Sequence, residues 1–212
     1  MKSFLPLLLF LSIIVACKQE KVRPVSNEKQ SVGKTIVSES DQSINTEPTI
    51  FQTTTGKSIE LITQQKSSSL VDLKIIPIDF QNNKDTLTIA DSDPLQHAWI
   101  NDLDGNGYDE LYLITTATGS GSYGTIYGFA SNQDLSMTPI YVPEISEKDL
   151  LPDGNFYGYM GHDSIFTANN RIYRKYPVYK EGDANCCPSG GDRTLSYDLK
   201  AGEASWILSI EN

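Results

Sequence analysis

Cysteine and histidine are scarce in this chain: 3 Cys and 2 His among 212 residues. A four-cysteine zinc site or a His-rich metal centre therefore cannot be assembled. Positive charge is also short. Lys and Arg number 17 against 27 Asp and Glu, for a net charge of -10. Binding to nucleic acid needs a basic face that neutralises phosphates, so this composition speaks against a nucleic-acid partner. Long apolar runs are missing too. The longest, Phe4 to Ala16, spans 13 residues, whereas a bilayer-spanning helix takes roughly 20. What remains is an ordinary globular composition with 15 Gly and 10 Pro, which excludes a collagen, a coiled coil and a multi-span membrane protein.

The apolar run has the form of a secretory signal. Lys2 supplies a positive start, and the run ends in Ile14-Val15-Ala16-Cys17. This resembles the bacterial lipoprotein signal, in which cleavage after a small residue exposes a cysteine for lipidation. Residues 1–16 are thus expected to be a leader and Cys17 the lipidated first residue of the mature chain. A lipid there would hold the protein at a membrane surface in the cell envelope, facing the periplasm or the cell surface. Residues 17–48 are rich in Ser, Lys, Glu, Gln and Asn and lack aromatics. Such a segment buries too little apolar surface to offset its ordering entropy, so it reads as a flexible tether.

From residue 49 to 212 the texture changes. Short runs of Ile, Leu, Thr, Tyr and Phe alternate with turn signals. Strands are expected at Ile50–Thr54, Ser58–Thr63, Leu70–Phe80, Thr86–Ala90, Ala98–Ile100, Glu110–Ala117, Thr125–Ser131, Thr138–Val142, Ser164–Ala168, Arg171–Tyr179, Thr194–Leu199 and Ala204–Ile210. Gly, Asn and Asp pairs such as Asp104-Gly105 and Asn169-Asn170 separate them. This spacing predicts an all-β domain, an antiparallel β-sandwich or barrel. A short helical turn is expected only within Glu144–Leu151.

Three clusters carry candidate chemistry. In the first, Asp102, Asp104, Asn106 and Glu110 place oxygen side chains at positions 1, 3, 5 and 9 of a calcium-type loop. Gly107 occupies the sharp turn at position 6, and Tyr108 offers a backbone carbonyl. Position 12 is Leu113, so the bidentate Glu of an EF-hand is missing, and a strand follows instead of a helix. The pattern resembles the calcium loops of FG-GAP-type β proteins. It equally suits a polar turn entering a strand without metal, and the sequence leaves Ca2+ open.

The second cluster is Gly119-Ser120-Gly121-Ser122-Tyr123-Gly124. It lies between two expected strands and so forms a hairpin tip. A phosphate-binding loop needs a helix N-terminus behind it, and here a strand follows. The tip instead presents two hydroxyls and a rigid aromatic, a shape suited to insertion into a cleft; a hairpin loop without a partner has the same spacing. The third cluster is the adjacent pair Cys186 and Cys187. With Cys17 lipidated, these are the remaining thiols of an oxidising compartment. They can bond to each other, remain reduced or bridge to other molecules. A bond between neighbours closes only a local turn and constrains the unfolded chain little.

Catalytic signals are weak. His97 and His162 are the only imidazoles. Gly161-His162-Asp163-Ser164 brings triad residue types together in sequence, but triads are assembled from separate elements. The chain is therefore read as a non-enzyme.

Several stretches are similar to the periplasmic inhibitors of invertebrate-type lysozyme. They are residues 98–113 running into Gly119–Gly124, then Phe156-Tyr157-Gly158-Tyr159-Met160-Gly161-His162-Asp163, then Tyr176 to Asn185, then Gly190-Gly191-Asp192-Arg193 and Tyr197-Asp198-Leu199. The likeness runs over about residues 70–212, and its most specific element is Ser120-Gly121-Ser122-Tyr123. The resemblance implies an antiparallel β-sandwich that can form a homodimer. It also implies that Ser120 and Tyr123 enter the active-site cleft of a lysozyme. The lipoprotein leader and the Cys186-Cys187 pair depart from the soluble inhibitors of that family.

Overall fold

The computed structural model describes residues 44–45, 47–82 and 86–211. The expected leader, Cys17 and nearly all of the expected tether lie outside these residues. Strand pairing begins earlier than the sequence reading placed it. β1 (Ile44–Asn45) already pairs with Gln65 and Gln64 of β3 (Ser58–Gln65), within the segment expected to be tether. β2 (Thr49–Gln52) pairs with Leu61 to Ser58 of the same strand. Two short segments thus share the free edge of β3, of which β1 is too brief to show in the sequence pattern.

All sheets are antiparallel. The first contains β1, β2, β3, β4 (Val71–Ile78) and β5 (Leu87–Ser92). The second runs β6 (Leu95–Asn101), β7 (Glu110–Thr116), β8 (Gly124–Ser131) and β9 (Met137–Ile140) in order. The third runs β10 (Ser164–Ala168), β11 (Arg171–Pro177), β12 (Asp192–Ala201) and β13 (Trp206–Ile210). A 3-10 turn at Glu147–Leu150 is the one helical element among the described residues. It falls inside the expected 144–151 window, where Ser146 and Asp149 close a reciprocal cap.

Side-chain alternation stacks the sheets into a layered sandwich. In β4, Val71, Leu73 and Ile75 are buried, while Asp72 and Lys74 face outward. β7 differs, because six successive residues, Glu110 to Thr115, are buried. Leu111 and Leu113 join Ile59, Leu61, Leu73 and Ile75 in one core. Tyr112 and Ile114 point the other way and join Ile165, Ile172, Tyr197 and Leu208 in a second. The middle sheet is therefore covered on both faces, which is why β7 reads as a near-continuous apolar run.

Two details bear on the sites. The β10–β11 turn consists of Asn169 and Asn170, both at positive φ. This is the primed two-residue turn that Asn favours, and it sends the Asn170 amide to the carbonyl of Asp102 at 2.8 Å. β9 pairs with β8 only from Gly128 to Ser131. The chain then leaves that edge, and Tyr141 bridges to Ile207 of the third sheet. The Gly124 end of β8 is left without a strand on that side.

Candidate functional site

The two polar loops singled out in sequence sit at opposite ends of β7. The acidic loop precedes Glu110, and the Gly119–Gly124 tip follows Thr116.

At the acidic end, carboxylate oxygens of Asp102, Asp104 and Glu110 lie within 4.8 Å of one another. Backbone amides fold the loop around these oxygens. Asn106 N–H donates to Asp102 at 3.0 Å and to Asp104 at 3.1 Å, and Gly107 N–H donates to Asp102 at 2.9 Å. The Asn106 side chain is engaged inside the loop. Its amide donates to Asp104, and its oxygen accepts Tyr108 N–H at 2.7 Å. Glu110 is the unusual member, at 1% exposure. One of its oxygens accepts Leu103 N–H at 2.8 Å and the Tyr112 hydroxyl at 3.4 Å. Burial, against the help of the Leu103 amide, pushes its carboxyl up to about 8, and Asp104 and Asp102 add to that push. Burial also raises Asp104 and Tyr112. An all-oxygen donor set of this kind suits a hard cation such as Ca2+. Three carboxylates supply it, and the Asn106 oxygen, which accepts Tyr108 N–H, keeps a second lone pair.

At the other end, the tip is the β7–β8 hairpin expected from sequence. Ala117 N–H donates to the Tyr123 carbonyl at 2.9 Å, and Ser122 N–H to the Gly119 carbonyl at 3.0 Å. Ser122 takes a positive φ of 43°. Ser120 is exposed, and Tyr123 is 46% exposed. Two other loops hold the tip. His162 N–H donates to the Gly121 carbonyl at 2.6 Å, and the Asn185 amide donates to the Ser120 carbonyl at 3.3 Å. Gly161 makes the first contact possible. Its φ of +87° suits only glycine, and a Cβ there would collide with the Gly121 carbonyl.

Beneath the tip lies a buried ion pair that sequence reasoning did not single out. Arg174 of β11 meets Asp163 at 3.1 Å, with side-chain exposures of 6% and 0%. The Tyr159 hydroxyl donates to both Asp163 oxygens, at 2.9 and 2.7 Å. Arg174 also donates to the Gly124 carbonyl at 3.3 Å, and the Asp163 carboxylate lies against Gly124. The guanidinium lies over the rings of Phe156 and Tyr159, 5.6 and 5.9 Å from their centroids. Tyr159 in turn meets Tyr123 edge-on at 5.7 Å. Burial raises the Asp163 carboxyl against the pull of Arg174, and it raises the Tyr159 hydroxyl.

Cys186 and Cys187 are joined by a disulfide with Cα atoms 3.8 Å apart. The bond sits on an exposed turn that Asp183 closes by accepting Lys180 N–H and Ser189 N–H, each at 2.8 Å. Asn185, next to the disulfide, is the residue that reaches the tip. His162 serves the tip through its backbone, and its ring stacks on Tyr179 at 6.2 Å. Asp163, its sequence neighbour, is committed to Arg174. The triad-like string is therefore dispersed into structural roles. Exposed Tyr157 and Met160 lie on the same loop as His162.

No protein-family model and no curated protein matches the chain. Among solved structures, a thermostable family-43 glycoside hydrolase aligns over 78% of this chain, at 9% identity and a TM-score of 0.38. The alignment spans 57% of that enzyme's chain. A likeness this slight carries no argument about activity.

Proposed function

We propose that this protein is an envelope lipoprotein that inhibits a lysozyme, of the invertebrate type, by inserting the Gly119–Tyr123 tip into the enzyme's active-site cleft. The observation that carries this reading is the presentation of Ser120 and Tyr123. Both are exposed on a hairpin tip whose backbone is tied down at Ser120, Gly121 and Gly124. A pinned loop loses little conformational entropy when it enters a cleft. Glycosidase clefts of this kind carry two carboxyl groups flanking the scissile bond. Hydroxyls of Ser120 and Tyr123 would hydrogen-bond to them, and a charged acceptor strengthens such bonds. The action is occupation, without catalysis by this chain. The net charge of -10 would speed the approach of a cationic enzyme. Cys17, as lipidated residue, would keep the protein at a membrane, and a homodimer is compatible with the family resemblance.

The test is a cell-wall lysis assay. Purified protein is titrated against invertebrate-, chicken- and goose-type lysozymes. Stoichiometric inhibition of the invertebrate type is expected, and no inhibition of any type would sink the reading.

A second reading rests on the converging carboxylates of Asp102, Asp104 and Glu110. In it the domain is a calcium-stabilised envelope binding module with a partner other than lysozyme. Isothermal titration with calcium separates the readings, since no heat of binding would remove this one.

A further inference from the structure

The tip owes its shape to groups outside its own hairpin. We infer that Arg174 and Asp163, with Tyr159 bound to them, are positioning residues that hold the Gly119–Gly124 tip in its working geometry by taking the place of a missing strand at Gly124. The inference deepens the inhibitor reading and rests on it for the tip being the working surface.

β8 is only partly covered along its outer edge. Its outer edge is covered by β9 at Gly128 to Ser131 and by nothing further toward Gly124 among the described strands. An edge left open next to a loop frays, because each unpaired backbone group exchanges its bond for water at little cost. At Gly124 a side chain does part of what a strand would do. The Arg174 guanidinium donates to the carbonyl at 3.3 Å, while the Asp163 carboxylate lies against the same glycine and holds Arg174 in place.

The clamp is rigid for three reasons. Arg174 and Asp163 are buried, so their attraction is little screened by solvent. Arg174 stems from β11 and Asp163 sits just before β10, so both report the position of the third sheet. Tyr159 ties Asp163 from the other side and sets its ring edge-on against Tyr123. The side chain proposed to enter the partner is thus braced at its ring, and the residue after it is clamped at its backbone. Neither Arg174 nor Asp163 would touch the partner. Both act through Gly124 and Tyr123.

A buried ion pair also serves general stability, so the experiment must separate the two roles. Losing one partner of such a pair leaves an uncompensated charge and destabilises the whole domain, whereas replacing both is tolerated far better. The chosen variant is therefore the double substitution Asp163→Asn with Arg174→Met in the full chain. Amide hydrogen exchange is read at Ala117, Ser122 and His162, whose N–H groups bond within or to the tip, and at β3 and β4 as a global reference. The expected result is exchange about tenfold faster or more at the three tip amides, with β3 and β4 unchanged. Lysozyme dissociation, measured alongside, is expected to accelerate with little change in association. Tip exchange equal to the parent protein's would overturn the inference, as would equal acceleration at every amide. Should the double variant fail to fold, Tyr159→Phe replaces it, since it keeps the ring and removes the bonds to Asp163. A smaller change in the same direction at the tip is then expected, and none would overturn the inference. If the parent protein inhibits no lysozyme but the tip still loosens, the lysozyme reading falls and the positioning role stands.

Discussion

Glu110 concentrates what single residues contribute and what their sequence can reveal. Its place in the acidic loop was legible, because Asp102-Leu103-Asp104-Gly105-Asn106-Gly107 is a local pattern with its own turn chemistry. Its burial was not, because β7 lies in a sheet covered on both faces, and Glu110 shares the face of Tyr112 that packs toward the third sheet. A carboxylate buried so deeply is costly to ionise unless a cation or further donors join it. If calcium occupies the loop, free metal at about a hundredfold over its Kd adds about 2.7 kcal/mol and raises the melting temperature of a domain this size by about 5–10 °C. Glu110→Gln is expected to abolish that rise while leaving the protein folded in chelator, since the amide carries no charge to bury. Differential scanning fluorimetry with and without calcium checks both, and an unshifted parent protein would remove calcium from the account. Arg174, Asp163 and Tyr159 illustrate the opposite limit. Each is an ordinary residue type in an ordinary strand or loop, and only the stacking of sheets brings them under Gly124.

Elements were easier to read than their partners. Twelve expected strands correspond to β2 through β13, with boundaries shifted by a few residues. The primed turn at Asn169-Asn170 and the 144–151 turn also fell where expected. β1 escaped because two residues of a polar segment show no periodicity. The tip was recognised as a hairpin, but its attachment to residues 161–162 and 185 was invisible, since those contacts are made by backbone and an amide far away in sequence. Gly161 tests that attachment. Gly161→Ala forces a side chain into a left-handed backbone, costing about 1 kcal/mol, and pushes on the Gly121 carbonyl besides. Inhibition is expected to fall more than the melting temperature implies. An inhibition constant equal to the parent's would show that the tip does not depend on this loop. β7 offers a matching test of the core. Leu113 is fully buried, so Leu113→Ala is expected to cost about 2–5 kcal/mol in denaturant unfolding. A cost under 1 kcal/mol would contradict the layered packing.

The whole molecule joins a stable frame to a small working end. Sequence disclosed the all-β class through strand spacing, but not that the middle sheet is covered on both faces. Alternation cannot be seen where both sides of a strand are apolar, as in Leu111 to Ile114. The two polar loops lie at opposite ends of one strand because one precedes β7 in the chain and the other follows it. The layered arrangement explains why the tip can be held from the third sheet while its hairpin belongs to the second. At this scale the central claim is that Ser120 and Tyr123 act as a plug supported by everything beneath them. The most direct measurement compares the parent protein with Ser120→Ala/Tyr123→Ala in a lysis assay against invertebrate-type lysozyme, with thermal unfolding recorded for both. The account predicts that the double substitution abolishes inhibition, by about a hundredfold or more, while the melting temperature stays within a few degrees. Full inhibition by the substituted protein would contradict it.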